Sequence, residues 1–209
     1  MKNYLTEFIG TLFLVLTIGL TVLGQSPMAP LAIGCSLMIM VYMGGHISGG
    51  HYNPAVSLAC MLRGKLDSKE LIPYWVSQVL GAITAALLVR VILGQTFAPM
   101  PAADSSVIAS LLVETLFTFA LCLVVLNTAT HAATKGNSYY GLAIGFTIVV
   151  AAFAGGGVSG GAFNPAVGIG PTLVHAMLSG GSLTSLWLYL VGPFAGSFLA
   201  ASVFKLQEA

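Results

Sequence analysis

Charge is what this sequence has least of. Lys, Arg, Asp and Glu together make up 6% of its 209 residues, against about 25% in an ordinary soluble domain. A water-facing surface cannot be built from that composition, which excludes a soluble enzyme and a disordered linker alike. Seven Lys+Arg stand against six Asp+Glu, so there is no basic patch and no nucleic-acid partner is expected. Cysteine is scarce too. Cys35, Cys60 and Cys122 lie in separate apolar segments without CxxC spacing, giving neither a disulfide framework nor a zinc site. There is no Ser/His/Asp set, metal-ligand cluster or phosphate-binding loop, so no catalytic residue, metal or cofactor is assigned and no enzyme is expected. The apolar N-terminus does not read as a signal peptide, because Glu7 interrupts it and no small-residue cleavage site leads into a polar chain.

What the chain has in quantity is apolar length. It is 57% hydrophobic, with mean hydropathy +0.96. A membrane-crossing helix needs about 20 mostly apolar residues, and six segments qualify: Leu5–Gly24, Met28–Gly45, Leu71–Gly94, Val107–Thr128, Tyr139–Gly155 and Leu183–Phe204. Two further apolar stretches, 53–62 and 164–178, are too short to span. Each opens with Asn-Pro after a glycine-rich approach, so each reads as a half-helix entering the bilayer. With a cytoplasmic N-terminus, Lys2, Arg63, Lys65, Lys69, Lys135 and Lys205 all fall inside, and Arg90 alone falls outside. From that asymmetry both termini are expected in the cytoplasm, and the chain is expected to be a multi-pass protein of the cell membrane. The loop Gln95–Ser106 reads as a surface excursion joining two halves.

The halves repeat. GGHISGGHYNPAVSLA from Gly44 overlays GGGVSGGAFNPAVGIG from Gly155 with nine identities in sixteen. Each half also opens with an intramembrane glutamate, Glu7 or Glu114. An odd number of spans per half inverts the second relative to the first, so the single membrane domain 1–209 divides into repeats 1–98 and 107–209. Inverted repeats with two broken helices at the midplane are a feature of transport proteins.

The chemistry of Asn-Pro-Ala suits a half-helix start. Proline has φ preset and no amide hydrogen to waste in the first turn. Asparagine caps the helix through its side-chain oxygen, leaving its NH₂ to donate into a lumen; aspartate could not donate and would carry charge. Alanine lets two such starts meet closely. Two helix N-termini facing each other at mid-bilayer, with two asparagine donors, form a barrier to cations and protons.

On these residues the chain resembles the aquaporin (major intrinsic protein) superfamily over nearly its whole length. The resemblance is carried by Asn53-Pro54-Ala55 and Asn164-Pro165-Ala166, Glu7-Phe8-Ile9-Gly10-Thr11, Tyr74-Trp75 with Gln78 and Gly81, and Gly192-Pro193. It implies an all-α membrane fold of inverted 3+3 repeat, with six tilted helices and two re-entrant half-helices. It also implies a pore in every protomer of a homotetramer. Backbone carbonyls of Gly49, Gly50, His51 and Tyr52, and of Gly160, Gly161, Ala162 and Phe163, would line that pore, with Glu7 and Glu114 bracing the two loops.

The chain departs from the family pattern at the selectivity filter. Val167 stands where the family usually has arginine after the second Asn-Pro-Ala. Counting from the motifs places the other filter positions at Ile33, Ala152 and Gly161, where water-selective members carry an aromatic at the first and histidine at the second. The expected constriction has no charge, ring or strong side-chain donor, so it should be wide and apolar unless Phe153, Phe163 or Met43 fills it. This pattern resembles the bacterial aquaglyceroporins associated with arsenic resistance, some of which carry valine for the arginine. Glycerol facilitators usually place Asp after the arginine; Gly168 stands here.

The expected function is therefore a passive channel for small neutral solutes: glycerol-like polyols, arsenite, methylated arsenicals and water. The alternatives are a water-selective aquaporin and a secondary transporter. His46 and His51 are read as lying on an extended loop, with His46 at the cytoplasmic mouth able to tune permeability with pH. His131 and His175 read as loop or interface residues, and Gly19, Gly81 and Gly145 as helix-packing glycines.

Overall fold

The computed structural model describes residues 1–208, which are helical with short connections and, among the described residues, no strand. In chain order the helices are α1 (Lys2–Leu23), α2 (Ala29–Ser48), α3 (Pro54–Leu62), α4 (Ser68–Leu93), α5 (Val107–Val125), α6 (Tyr140–Ser159), α7 (Pro165–Ser179) and α8 (Leu188–Gln207). A π turn, Leu126–Thr130, extends α5. Among the described residues six helices are long and apolar enough to cross a membrane, all but α3 and α7. The outside of the bundle is apolar: Val91 is 81% exposed and Ile108 71%. In water such a surface is a liability; against lipid it is required.

Local chemistry sets the ends, and several differ from the sequence expectation. The glycine-rich approaches are helical. α2 and α6 run past Gly45 and Gly155 to Ser48 and Ser159 and stop only at Gly49 and Gly160, whose φ of 93° and 88° is the left-handed conformation that glycine adopts without penalty. His46 therefore sits in the last turn of α2, not on a loop. Asp67 Oδ1 caps α4 by accepting from Lys69 N–H at 2.9 Å, which starts that helix before Leu71. The last span begins at Leu188 rather than Leu183. Ser182 Oγ accepts from Thr184 N–H at 3.1 Å, a side-chain bond that competes with helix. α5 loses regular geometry before Thr128, where the Thr128 and Thr130 hydroxyls donate back to Val124 O and Leu126 O.

Two ends of the bundle follow from contacts between distant residues. Arg63, just past α3, pairs with Glu208 at 2.7 Å, and Tyr4 donates to Glu70 at 2.8 Å. Both chain ends, the C-terminus of α3 and the start of α4 thus share one face, here the terminal face. On the distal face Thr96 meets His175 at 2.7 Å, and Ala102 N–H donates to Val158 O at 3.1 Å.

The halves pack alike. α1 lies on α4 and α5 on α8, each pair closing at a glycine. A Cβ at Gly81 would stand 2.5 Å from Phe8 O, and one at Gly196 would stand 2.5 Å from Thr115 O, the matching backbone atom. The halves meet where α2 crosses α6, with Gly34 and Gly145 opposed: a Cβ on either would stand 2.5 Å from the other's carbonyl oxygen. Gly19 instead accommodates the Phe97 ring.

Backbone cannot yield at that crossing as a side chain can. Gly145→Leu is expected to lower stability by about 1–3 kcal/mol or more, read as a lower melting midpoint in detergent. Gly157→Ala, whose Cβ meets nothing within 4 Å, should leave the midpoint unchanged or raise it slightly.

Candidate functional site

Asn53 and Asn164 each precede a half-helix in an extended conformation, and each closes the first turn with its side chain. Asn53 Oδ1 accepts from Ala55 N–H and Asn164 Oδ1 from Ala166 N–H, both at 2.9 Å. Pro54 and Pro165 hold the first helical position. The amide nitrogens then bond across the centre of the molecule: Asn53 Nδ2 donates to Phe163 O at 2.9 Å and Asn164 Nδ2 to Tyr52 O at 2.8 Å. One of each pair of amide hydrogens ties the halves together, and one remains. The sequence reading left the whole NH₂ for a lumen; half of it is structural.

The loops leading into these caps are held by two buried carboxylates. Glu7 Oε1 accepts from Ser48 Oγ at 2.7 Å and His51 N–H at 2.9 Å. Its Oε2 accepts from Tyr52 N–H at 2.6 Å and Gln78 Nε2 at 2.8 Å. Glu114 repeats most of this, taking Ser159 Oγ at 2.7 Å, Ala162 N–H at 3.0 Å and Phe163 N–H at 2.7 Å. Gly50 and Gly161 N–H donate to Ser48 and Ser159 Oγ, both at 3.1 Å. Tyr74 and Tyr189 hydroxyls hold the carbonyls of those same serines. With their N–H groups drawn into the protein, the loops have carbonyl oxygens to turn the other way.

The match between halves fails at one place. Gln78 Nε2 also donates to Ser57 Oγ at 2.9 Å, and Ser57 Oγ lies 3.1 Å from His51 Nδ1. At the corresponding positions the second half has Pro193, Gly168 and Ala162, none with a side-chain hydrogen-bonding group. The first loop is cross-linked by side chains; the second rests on Glu114 and Ser159.

A cavity of about 370 Å³ runs inward from the distal face. Ile33, Ala152, Gly161 and Val167 all line it, with Asn53, Asn164, Gly50, His51, Gly160, Ala162 and Phe163. A second cavity of about 860 Å³ opens on the terminal face, lined by His46, Gly49, Cys60, Arg63 and His131 among others. His51 borders both. Tyr52 departs from its expected place as a lining residue. It is fully buried, its hydroxyl bonds to Met40 O and its carbonyl takes Asn164.

Of the bulky residues that threatened to fill the cavity, Phe153 is 57% exposed and Met43 37%, both on the outside of the bundle. Phe163 does line it, held edge-on to Phe117 with ring centroids 5.6 Å apart. The sequence reading missed Phe97–Met100. This stretch of the loop Gln95–Ser106 is not a mere surface excursion but part of the cavity wall. Phe97 anchors it against Gly19, and Met100 backbone rests on Gly160, where a Cβ would stand 2.6 Å from Met100 N. An aromatic beside two prolines in an otherwise small-residue loop was the available signal.

Residues 1–204 match the profile of the Major intrinsic protein family. The chain is 36% identical to Aquaporin NIP1-1 of Zea mays over 99% of its own length and 74% of that protein. It is 36% identical to Glycerol uptake facilitator protein-like 6 of Lactiplantibacillus plantarum, covering 96% of this chain and 95% of that one. In fold it is similar to the aquaglyceroporin from Plasmodium falciparum, with TM-score 0.87 over 98% of this chain and 95% of that one at 22% identity.

The two carboxylates should respond unequally to amidation. Whichever way the amide of Glu7→Gln turns, two of the four donors lose their acceptor; in Glu114→Gln the amide can turn so that Phe163 N–H alone does. A buried donor without a partner costs about 1–3 kcal/mol, so Glu7→Gln should lower the melting midpoint in detergent more than Glu114→Gln.

Proposed function

The chain belongs to the major intrinsic protein family, whose members are membrane channels rather than enzymes, and we propose that it passes small uncharged solutes through a wide apolar filter made by Ile33, Ala152, Gly161 and Val167. The observation that carries this reading is the composition of the distal cavity. The four filter residues line it, none bears a charge, a ring or a side-chain donor, and of the bulky residues nearby in sequence Phe153 and Met43 lie on the outside, while Phe163 lines the cavity.

The solutes that suit such a filter are glycerol-like polyols, arsenite as its neutral trihydroxide, methylated arsenicals, and water. The valine after the second Asn-Pro-Ala supports a likeness to aquaglyceroporins of the arsenic-resistance type, and a relative named as a glycerol uptake facilitator-like protein supports glycerol. Ions are excluded in this reading at the midplane, where the positive ends of α3 and α7 oppose each other and Asn53 and Asn164 each keep one N–H for a passing solute. Gly49, Gly50, His51, Gly160 and Ala162 supply the carbonyl track, Phe163 O being bonded to Asn53 as Tyr52 O is to Asn164, and Glu7 and Glu114 brace it. Repeats 1–98 and 107–209 each contribute one half of the path.

The terminal face is assigned to the cytoplasm of a cell-membrane protein, because Lys2, Arg63, Lys65, Lys69, Lys135 and Lys205 gather there and positive loops stay inside. A homotetramer is the assembly that the family resemblance supports.

Stopped-flow light scattering on proteoliposomes tests the proposal. An impermeant osmolyte should give fast shrinkage, and glycerol or a neutral arsenic acid should give shrinkage followed by fast re-swelling. Fast shrinkage without solute entry would instead identify a water-selective channel, and saturable, ion-gradient-dependent uptake a secondary transporter. Val167→Arg should slow glycerol entry by about tenfold or more while water still passes; unchanged solute flux would remove Val167 from the filter.

A further inference from the structure

The repeat that relates the halves also relates the two mouths. α2 and α6 are each 20 residues long. The offset of 111 residues from Asn53 to Asn164 sets Ala29 on Tyr140, at the start of each helix, and Gly45 on Gly156, in the last turn of each. At the terminal mouth this pair is closed. A Cβ on Gly45 would stand 3.3 Å from the Tyr140 ring and 3.4 Å from its hydroxyl oxygen. Tyr140 is itself packed edge-on against Tyr42, with ring centroids 5.3 Å apart. At the distal mouth the pair is Ala29 and Gly156, which both line the cavity, and a Cβ on Gly156 would meet nothing within 4 Å. The direction that a ring fills at one mouth is open at the other.

We infer that Gly156 is a fifth size-determining position of the filter, and that its missing side chain admits branched neutral solutes. The inference rests on the channel reading above and names the class of solute that depends on this residue, polyols carrying a branch carbon. Gly156 follows Ala152 by one helical turn, about 6 Å along α6, on the same face. Ala29 precedes Ile33 by one turn of α2 in the same way, so the open pair stands just outside the Ile33 and Ala152 positions. The filter residue Gly161 rests against Gly156, since a Cβ on Gly161 would stand 3.0 Å from Gly156 Cα. The chain neighbours of Gly156 point elsewhere. A Cβ on Gly155 would stand 2.6 Å from Val113, and Gly157 is exposed without lining the cavity. An unbranched solute threads end-on and needs only the width of its chain. A quaternary carbon needs room for one more group at its side, and the glycine in the wall is where that room lies.

The experiment compares glycerol with trimethylolethane, which carries three hydroxymethyl arms and a methyl group on one quaternary carbon, in proteoliposomes corrected for the flux of protein-free liposomes. The unsubstituted protein should admit both. Gly156→Leu should lower trimethylolethane entry about tenfold more than glycerol entry, the equivalent of about 1.4 kcal/mol of steric conflict, while fast water shrinkage shows the variant folded. Gly156→Ala adds one methyl group in open space and should move the same ratio the same way by a smaller factor, which keeps the test intact if leucine closes the path to water as well. Gly157→Leu, exposed away from the cavity, should change the entry of neither solute. Exclusion of trimethylolethane by the unsubstituted protein, or Gly156 variants that leave the ratio where Gly157→Leu leaves it, overturns the inference while glycerol entry keeps the channel reading standing. Fast water with entry of neither solute overturns that reading, and this inference with it.

Discussion

The constraint on which the rest depends is the burial of two stretches of non-helical backbone in the middle of an apolar molecule. Residues 49–53 and 160–164 leave helix where no lipid or core side chain can satisfy a free N–H, and an unpaired one costs about as much as any single interaction there returns. Glu7 and Glu114 resolve this. One carboxylate from the first helix of each half collects consecutive N–H groups of the loop beside it, together with the serine that ends the preceding helix. A side chain with one acceptor could not do this. Two of the chain's few acidic side chains are thereby committed to backbone, and close helix contacts at Gly81 and Gly196 bring α4 and α8 near enough to complete the shell.

The direction of the lining follows from that choice. Once the N–H groups turn toward the carboxylates, the carbonyls of the same peptides must turn away, and in the proposed channel they become the acceptors of the lumen. The asparagine caps then lock the two loops to each other: Tyr52 and Phe163, each with a φ near +50°, present their carbonyls to the amide of the opposite half. That left-handed geometry costs about 1 kcal/mol or more at a non-glycine residue, and the reciprocal bonds together with the buried rings hold it. The first loop is held further by Gln78, Ser57 and His51, whereas Pro193 and Gly168 leave the second without such links. The half that bears Val167 and Gly161 is thus the one with fewer side-chain constraints.

Much of this was legible before any coordinates. The repeated Asn-Pro-Ala, the paired glutamates and the count of apolar runs fix the architecture, because each is a local requirement that one segment meets by itself. Ile33 and Ala152, placed by counting from the motifs, both line one cavity. What the sequence concealed were relations between segments. Nothing local says that Asn164 spends one hydrogen on Tyr52 O, since the partner is 112 residues away. Nothing local says that Met100 settles on Gly160, or that Phe153 faces outward on a helix apolar all round. The glycine-rich approaches misled for a related reason. Glycine lowers helix propensity by about 1 kcal/mol each, but packing in the bundle overrides it until a residue must take positive φ.

The same relations bear on how the proposed path, with valine in place of the arginine, would reject ions. A row of carbonyls alone would favour cations, and the usual remedy, a fixed positive charge at the filter, is absent here. Two features oppose ions of either sign in its place. The first is the pair of helix starts at the midplane, which repels cations. The second is the wall itself: Leu14, Leu37, Leu121 and Ile148 offer nothing to replace a hydration shell, and stripping an ion without replacement costs far more than stripping a hydroxyl. A charged filter discriminates by sign, whereas a hydrocarbon wall facing one strip of acceptors discriminates by how much hydration a solute must give up. Under that rule neutrality is the condition of passage through the proposed channel.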